Sequence, residues 1–478
     1  MTVMNTPDAV FPSSPPLADR ALARAAGAPL IPGNAVRILN DGEENYAAWL
    51  EAIASAKHTI HFETYIIHGD EIGLRFAEAL AERARSGVRV RFLCDWFGSL
   101  NVRSWNLRSR RLWTMLRRAG VEARSFNPPR FDRPLGWISR DHRKLITIDG
   151  RLGFVSGLCV GRAWVGDPAR HLEPWRDIGI EISGPAVADL DRAFAGTWAE
   201  AGAPLPASRL SAIPAAGTVS VRIVAGTPVS AELYRLDQII AARAQRSLWL
   251  TDAYFVGTTA YIQALKAAAL DGVDVRLLVP GASDVPFIRS LSRASYRPLL
   301  EAGIRIFEWN GTMLHAKAAV ADSNWARVGS TNLNLMSWIG NWELDVTVED
   351  ESFARAMKAL YLDDLSHATE VLLTEKLRVQ LSVTPGSTSA AKGPAKRGRS
   401  RRAAAGVLGV SRTVGAAITN HRVLGPAESR VMAGAGAILL AVTGALLYWP
   451  RALTVPLSVF FAWAAVSLLA NAAKLRRR

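Results

Sequence analysis

The chain has 478 residues, 49% of them hydrophobic, with 57 Lys and Arg against 42 Asp and Glu and a net charge of +15. That length accommodates two sizeable cores plus appendages. Its two cysteines, Cys94 and Cys159, stand in apolar runs and read as buried free thiols of a reducing compartment; no Cys or His pair has zinc-site spacing, so no metal is expected.

Residues 1–35, with FPSSPP and alanine-rich stretches, lack the charged-then-apolar layout of a signal peptide and read as a disordered lead-in. A first α/β unit is expected over residues 36–205. In it AIASAKHTIHFETYII leads to a helical EIGLRFAEALAERARSG and a strand-like VRVRFLCD. Between Cys94 and His142 comes a stretch with Arg103, Arg108, Arg110, Arg111, Arg117 and Arg118 among Trp96, Trp105 and Trp113. It reads equally as an interfacial contact or as an amphipathic surface helix with its tryptophans turned inward.

A second unit, residues 218–383, repeats the first. IIAARAQRSLWLTDAYFV, TTAYIQALKAAALDG and VDVRLLVP follow in the same order, pairing Tyr65 with Tyr254 and Gly87 with Gly272. The spacing of some 173–189 residues between equivalents is far above solenoid periods of roughly 20–50. This is duplication of a domain, with strands and helices alternating in each half. A site shared between the halves is the natural place for two copies of one motif.

That motif is His142-Arg-Lys144, Asp149 and Gly157 in the first unit, and His315-Ala-Lys317, Asp322 and Ser330 in the second. Each spacing is identical in the two copies, which chance does not provide. Read as strands, HRKLITID and HAKAAVAD put each imidazole and ammonium on one face. Asp149 and Asp322, beside the turns signalled by Gly150 and Ser323-Asn324, are expected to fold back onto the imidazoles and fix their tautomers. The small residues at Gly157 and Ser330 are expected to let backbone N–H groups approach an oxyanion. Together the halves offer two histidines, two lysines, Ser330 and Asn332: an anion cage with a nucleophile and an acid. A phosphodiester reaction needs this set, and the lysines supply the charge a metal otherwise would.

The doubled HxKx4D pattern, with GSTN after the second copy, resembles the phospholipase D superfamily over most of residues 36–383. FETYII, SGVRVRFLCD, RDHRK, WRD and VGSTNLN are most similar to the bacterial cardiolipin synthases. The resemblance implies two phospholipase D-like domains forming a pseudo-dimer around one active site. It also implies a two-step phosphatidyl transfer without a cofactor, His142 being the nucleophile and His315 the acid and base, an assignment that pseudo-symmetry makes reversible. It further marks Asp177 and Glu343 as acidic residues behind the motifs. Cys159 stands where the family usually carries Asn, and Asn334 where many relatives carry Asp.

Residues 384–478 hold 14 Lys or Arg and one acid, Glu428, hence +13; residues 1–383 hold 43 basic and 41 acidic residues, hence +2. A nearly neutral body argues against a duplex-tracking groove, and no nucleic acid is expected as partner. Residues 384–429 read as a basic linker. The uncharged runs 431–449 and 453–473, of 19 and 21 residues, are each long enough to span a bilayer core of about 30 Å. A transmembrane helical hairpin over 430–474 is therefore expected, both its basic ends on the cytoplasmic side of the plasma membrane, where the catalytic body meets anionic phospholipid. The function expected is cardiolipin synthesis from phosphatidylglycerol, or from phosphatidylglycerol plus another phospholipid, through a phosphatidyl-histidine intermediate. Its rivals are hydrolysis of phospholipid by the same intermediate, a membrane-anchored nuclease, and a lipid-binding scaffold.

Overall fold

The computed structural model describes residues 17–99, 107–128, 138–206, 212–373 and 379–381, with a few single residues of the C-terminal run. The first repeat supplies strands β1 (Ile31–Asn40), β2 (Thr59–Thr64), β3 (Arg89–Asp95), β4 (Glu122–Phe126), β5 (Leu145–Ile148), β6 (Leu152–Ser156) and β7 (Ile178–Ser183). The second supplies β8 (Val219–Gly226), β9 (Ser247–Thr251), β10 (Asp274–Pro280), β11 (Arg305–Trp309), β12 (Ala318–Ala321), β13 (Trp325–Gly329) and β14 (Glu343–Glu349). Two further strands, β15 (Ala368–Leu373) and β16 (Val379–Leu381), extend its edge.

All of these strands form one sheet, ordered β4-β3-β2-β5-β6-β7-β1 through the first repeat and β8-β14-β13-β12-β9-β10-β11-β15-β16 through the second. The order repeats strand for strand on either side of the β1–β8 junction. There the two strands run antiparallel, Ile31 opposite Val221 and Asn34 opposite Val219. In both halves the βαβ crossovers make parallel pairs, β2 with β3 and β9 with β10, and the motif strands β5 and β12 run antiparallel to them. This bears out the expected α/β duplication and adds that the halves are fused through a continuous sheet.

Packing fuses them further. On one sheet face the helices Val187–Glu200 and Glu351–Ser366 lie over a single core that draws on both repeats, from Ile180, Ile182 and Trp198 to Val221, Val346 and Val348. The alternation of Ile178, Ile180 and Ile182 along β7 sends all three to that core. Leu190, Phe194 and Trp198 of the first helix are buried, each worth about 1.5–3 kcal/mol against exposure. The other sheet face carries one separate cluster per repeat.

Part of the expected lead-in is ordered. Leu17–Ala26 is a helix, and β1 begins at Ile31 rather than near residue 36. The alanine-rich stretch that suggested disorder is a good helix former, and it places Leu22 and Ala26 four residues apart on one face. That face enters the second repeat's cluster beside Leu233 and Leu236. Arg222 and Arg235 donate to the carbonyls of Ala28 and Ala25, at 2.6 and 3.3 Å, satisfying acceptors at the helix C-terminus.

The helix Leu107–Arg118 settles one alternative for its own residues. Leu112 and Leu116 are buried, and the Trp113 ring packs edge-on against Phe92 with centroids 5.7 Å apart. Arg103 and Trp105 lie outside the described residues, as do the basic linker and nearly all of the expected hairpin. Among the described residues no helix is long and apolar enough to cross a membrane.

Candidate active site

The two motifs sit at the start of β5 and β12, on the same edge of the sheet. They are joined crosswise by backbone hydrogen bonds. His142 N donates to Trp342 O at 2.9 Å and Trp342 N to Arg140 O at 2.8 Å. In the pseudo-symmetric copy His315 N donates to Arg176 O at 2.7 Å and Arg176 N to Met313 O at 2.8 Å. Each motif thus pairs with the segment that opens β14 or β7 of the other repeat. The residue after each of those partners is an acid, Glu343 or Asp177.

Those acids orient the imidazoles. His142 Nδ1 lies 2.9 Å from Glu343 Oε2, and His315 Nδ1 lies 2.8 Å from Asp177 Oδ2. A carboxylate at Nδ1 holds the proton there and leaves the Nε2 lone pair for chemistry. The carboxylates are exchanged: the first repeat's histidine is oriented by the second repeat, and the reverse. Ser330 Oγ donates to Glu343 Oε2 at 2.5 Å and accepts from Leu344 N at 2.9 Å, while the Trp164 indole donates to Asp177 Oδ2 at 3.1 Å.

The lysines are buried with the histidines. Lys144 Nζ donates to His142 O at 2.5 Å; Lys317 Nζ donates to His315 O and lies 3.1 Å from His315 Nε2. Burial and the Lys317 charge push His315 down to about 3 against the pull of Asp177. Burial also lowers His142, with Glu343 opposing. Lys317 is lowered to about 8, burial outweighing the attraction of Asp177. Burial raises Asp177 and Glu343, yet the imidazole beside each, with a lysine, holds both below the ordinary carboxylate range.

Three expectations are corrected. Asp149 and Asp322 do not touch the imidazoles. Asp149 accepts from the N–H groups of Lys57, His58 and Thr59, and Asp322 from those of Gln245, Arg246 and Ser247, all at 2.7–2.9 Å. They lie at the far end of β5 and β12, one strand length from the site, and cap the turn entering β2 or β9. Gly157 and Ser330 present no free N–H to an oxyanion. Gly157 N donates to Ile178 O, and Ser330 N to Leu344 O and Asp345 Oδ1. Gly157 makes room instead: a Cβ there would fall 2.2 Å from Asp177 Oδ1. Ser330, lastly, serves the carboxylate of Glu343 rather than lining a cage.

Asn332 is buried, and its Oδ1 has no hydrogen-bond partner. At the matching place Cys159 is buried, its thiol raised by burial although Lys144 and Lys317 act to lower it. Asn334 accepts from Ser337 N, capping the short helix Leu335–Ile339, and donates to Tyr254 O.

Sequence reasoning missed the aromatic walls. Tyr65 meets the His142 ring edge-on at 5.0 Å, with Lys144 Nζ 5.3 Å from its centroid; Tyr254 does the same for His315 and Lys317 at 5.9 and 5.7 Å. Their pairing in the repeat was the available signal. Trp164 and Trp175 flank His315 at 5.7 and 5.6 Å. Arg143, between the motif His and Lys, is buried and crosses to the carbonyls of Ala193, Gly226 and Glu343.

Two α/β repeats on one sheet, joined around paired histidines with exchanged carboxylates and one buried lysine each, define the phospholipase D class of fold. The family model described as "Cardiolipin synthase, PLD-like domain" matches residues 49–166 and 237–364. A cardiolipin synthase of Alkalihalophilus pseudofirmus is 34% identical over 70% of this chain and 67% of its own. One from a Geobacillus species is 35% identical over 73% and 69%, and cardiolipin synthase A of Pseudomonas fluorescens 33% over 74% and 73%. The crystal structure of phosphatidylserine synthase from Haemophilus influenzae superposes with a TM-score of 0.58 at 16% identity, covering 76% of this chain and 93% of that one. The chain belongs to the cardiolipin synthase family of phospholipase D-like proteins.

The steric role of Gly157 is testable against a neutral glycine. Gly157→Ala forces Asp177 away from His315, and activity should fall roughly 100-fold, the scale of losing an orienting partner. Gly196, in the helix Val187–Glu200, has nothing within 4 Å of where a methyl group would stand, so Gly196→Ala should keep full rate. Parallel assays of the two variants decide it; equal rates refute the packing role.

Proposed function

We propose that this phospholipase D-type phosphatidyltransferase joins two phosphatidylglycerols into cardiolipin and releases glycerol, through a phosphatidyl-histidine intermediate. The exchanged pair of carboxylate-oriented imidazoles carries the reading. One Nε2 attacks phosphorus while the other histidine protonates the departing glycerol oxygen. That second histidine then takes the proton from the incoming phosphatidylglycerol hydroxyl, whose oxygen attacks phosphorus and breaks the P–N bond. His142 is assigned the nucleophile and His315 the acid and base. Burial is the main cause that depresses His315, and a phosphodiester anion between Lys144 and Lys317 offsets the lysine repulsion that adds to it, raising its proton affinity. Asn332, its Oδ1 unpartnered, is assigned to the phosphate or its ester, with Gly157, Ser330, Asp177 and Glu343 in support.

Transfer to an alcohol is preferred to hydrolysis because the relatives this chain matches are named cardiolipin synthases. The nearly neutral body of residues 1–383 disfavours a nuclease. The repeats are assigned to residues 31–205 and 218–383, the first boundary moved from residue 36 to the start of β1. The runs 431–449 and 453–473 are assigned to a hairpin in the plasma membrane, with the catalytic body on the cytoplasmic side.

His142→Ala and His315→Ala should each lower turnover by more than about 10⁴-fold. Quenching in alkaline denaturant, which spares the acid-labile P–N bond, with phosphatidylglycerol radiolabelled at phosphorus should leave label on wild type and, after long incubation, on His315→Ala, and none on His142→Ala. A variant keeping a tenth of wild-type rate ends the two-histidine reading; label on His142→Ala reverses the roles.

Lys317 is cationic below its lowered value, so kcat/KM should hold up to about pH 8 and then fall tenfold per pH unit. Lys317→Arg should be slower but lose that alkaline limb, since a guanidinium keeps its proton. A wild-type profile flat to pH 10 shows that the Lys317 charge is not needed.

The hairpin is tested on native membranes. Alkaline carbonate should leave the full-length chain in the pellet and release a chain ending at Val383; release of both denies a spanning segment.

A further inference from the structure

The sheet edge that carries the histidines also carries an unusual share of uncovered apolar surface. Strands β3, β8, β10 and β13 all end there. Phe97 (54% exposed) follows β3, Val229 (86%) follows β8, Phe287 (42%) follows β10, and Met336 and Ile339 (37% and 38%) follow β13.

These residues adjoin the site through named contacts. Val229 N donates to Ile339 O, Asn341 N to Met336 O, and Asn341 Nδ2 to Glu343 Oε1, the carboxylate that orients His142. The Arg140 guanidinium lies 5.7 Å from the Phe97 ring centroid, and Arg140 O receives Trp342 N from the other repeat. On the far side Tyr254, against His315, donates to Asp284 at the foot of the helix Pro286–Ala294.

Two helices here leave apolar side chains uncovered. Pro286–Ala294, PFIRSLSRA, has Ser292 as its sole buried residue, while Phe287 is exposed and Ile288 and Leu291 are only half-buried. Leu335–Ile339 buries Ser337 and Trp338 and leaves Met336 and Ile339 in the open. A surface helix of a protein surrounded by water buries its apolar stripe and exposes its serines. Scattered single apolar residues mean nothing, and the exposed Leu270 at the opposite end of a crossover helix is such a case; a set gathered at the strand ends that carry the histidines is different. Arg289, on the helix Pro286–Ala294, has a buried Nε without a hydrogen-bond partner. A second copy seated here would shut both histidines off from substrate.

We propose that this edge is a membrane-docking surface: Phe287, Met336, Ile339, Val229 and Phe97 enter the headgroup–acyl boundary of an anionic phospholipid bilayer. Arg289 sits at headgroup depth, so a phosphodiester reaches the histidines by sliding sideways out of its leaflet. The inference rests on the phospholipid reading and says how that substrate arrives.

The test uses full-length protein in phosphatidylglycerol vesicles, carrying an environment-sensitive fluorophore on Phe287→Cys, Met336→Cys or Leu270→Cys. The native Cys94 and Cys159 are buried and do not compete for label. Probes at 287 and 336 should shift to the blue on vesicles and be quenched by lipids spin-labelled near the headgroup, and the probe at 270 should do neither. A probe at 287 that behaves like the one at 270, or that is already blue-shifted before lipid is added, overturns the proposal. As a second readout, Phe287→Ser with Ile339→Ser should lower the rate on vesicles roughly tenfold, the scale of losing two interfacial anchors. Its rate on short-chain phosphatidylglycerol below micelle formation should stay unchanged; an equal fall in both assays assigns the two residues to site geometry and overturns docking. Quenching at 287 with no lipid turnover by wild type keeps the docking surface and discards the phospholipid reading.

Discussion

The structure depends on an exchange: each catalytic-type histidine is oriented by a carboxylate from the other repeat. A half-molecule holds an imidazole with a wandering ring and an acid with no base. The backbone bonds that place Glu343 and Asp177 are themselves crosswise, His142 to Trp342 and His315 to Arg176. Alignment of the site therefore requires alignment of the halves, and the continuous sheet and the core shared under Val187–Glu200 and Glu351–Ser366 supply it. Arg176 adds a side-chain strap, its guanidinium meeting Asp364 of the second repeat and Asp41 of the first.

The same arrangement explains how so many charges stay buried. An isolated buried ion is costly, whereas a satisfied network is tolerated. Asp177 and Glu343 sit between a histidine and a lysine, and Ser330 and Trp164 complete their hydrogen bonding. Two lysines face these two carboxylates, so with the imidazoles neutral the four charges balance.

Repetition was legible in the sequence because duplication preserves spacing, and the two HxKx4D strings with their flanking strands and helices carried the fold class. Which acid serves which histidine was not. Asp149 and Asp322 are near in sequence, but a strand of four residues carries each of them to the opposite end of the sheet. Glu343 is 201 residues from His142, and Asp177 is 138 from His315; only the family resemblance marked them. Gly157 was picked out for an amide it does not offer, because the packing of Asp177 against its Cα is a tertiary fact. The tyrosines aligned in the repeat without any local signal that their rings wall the site. The N-terminal helix was hidden by composition: alanine and arginine resemble a linker until Leu22 finds a core to enter.

That helix has a consequence for how the chain is made. It precedes every other described element in the chain, but its apolar face docks on Leu233 and Leu236, and Arg222, which caps it through Ala28, lies 194 residues further along. Its partners do not exist when it emerges. The first repeat can condense on its own helices during synthesis, while Leu17–Ala26 stays unburied until the second repeat has formed its crossover. Closing so long a loop late makes the helix a clasp on the finished pseudo-dimer.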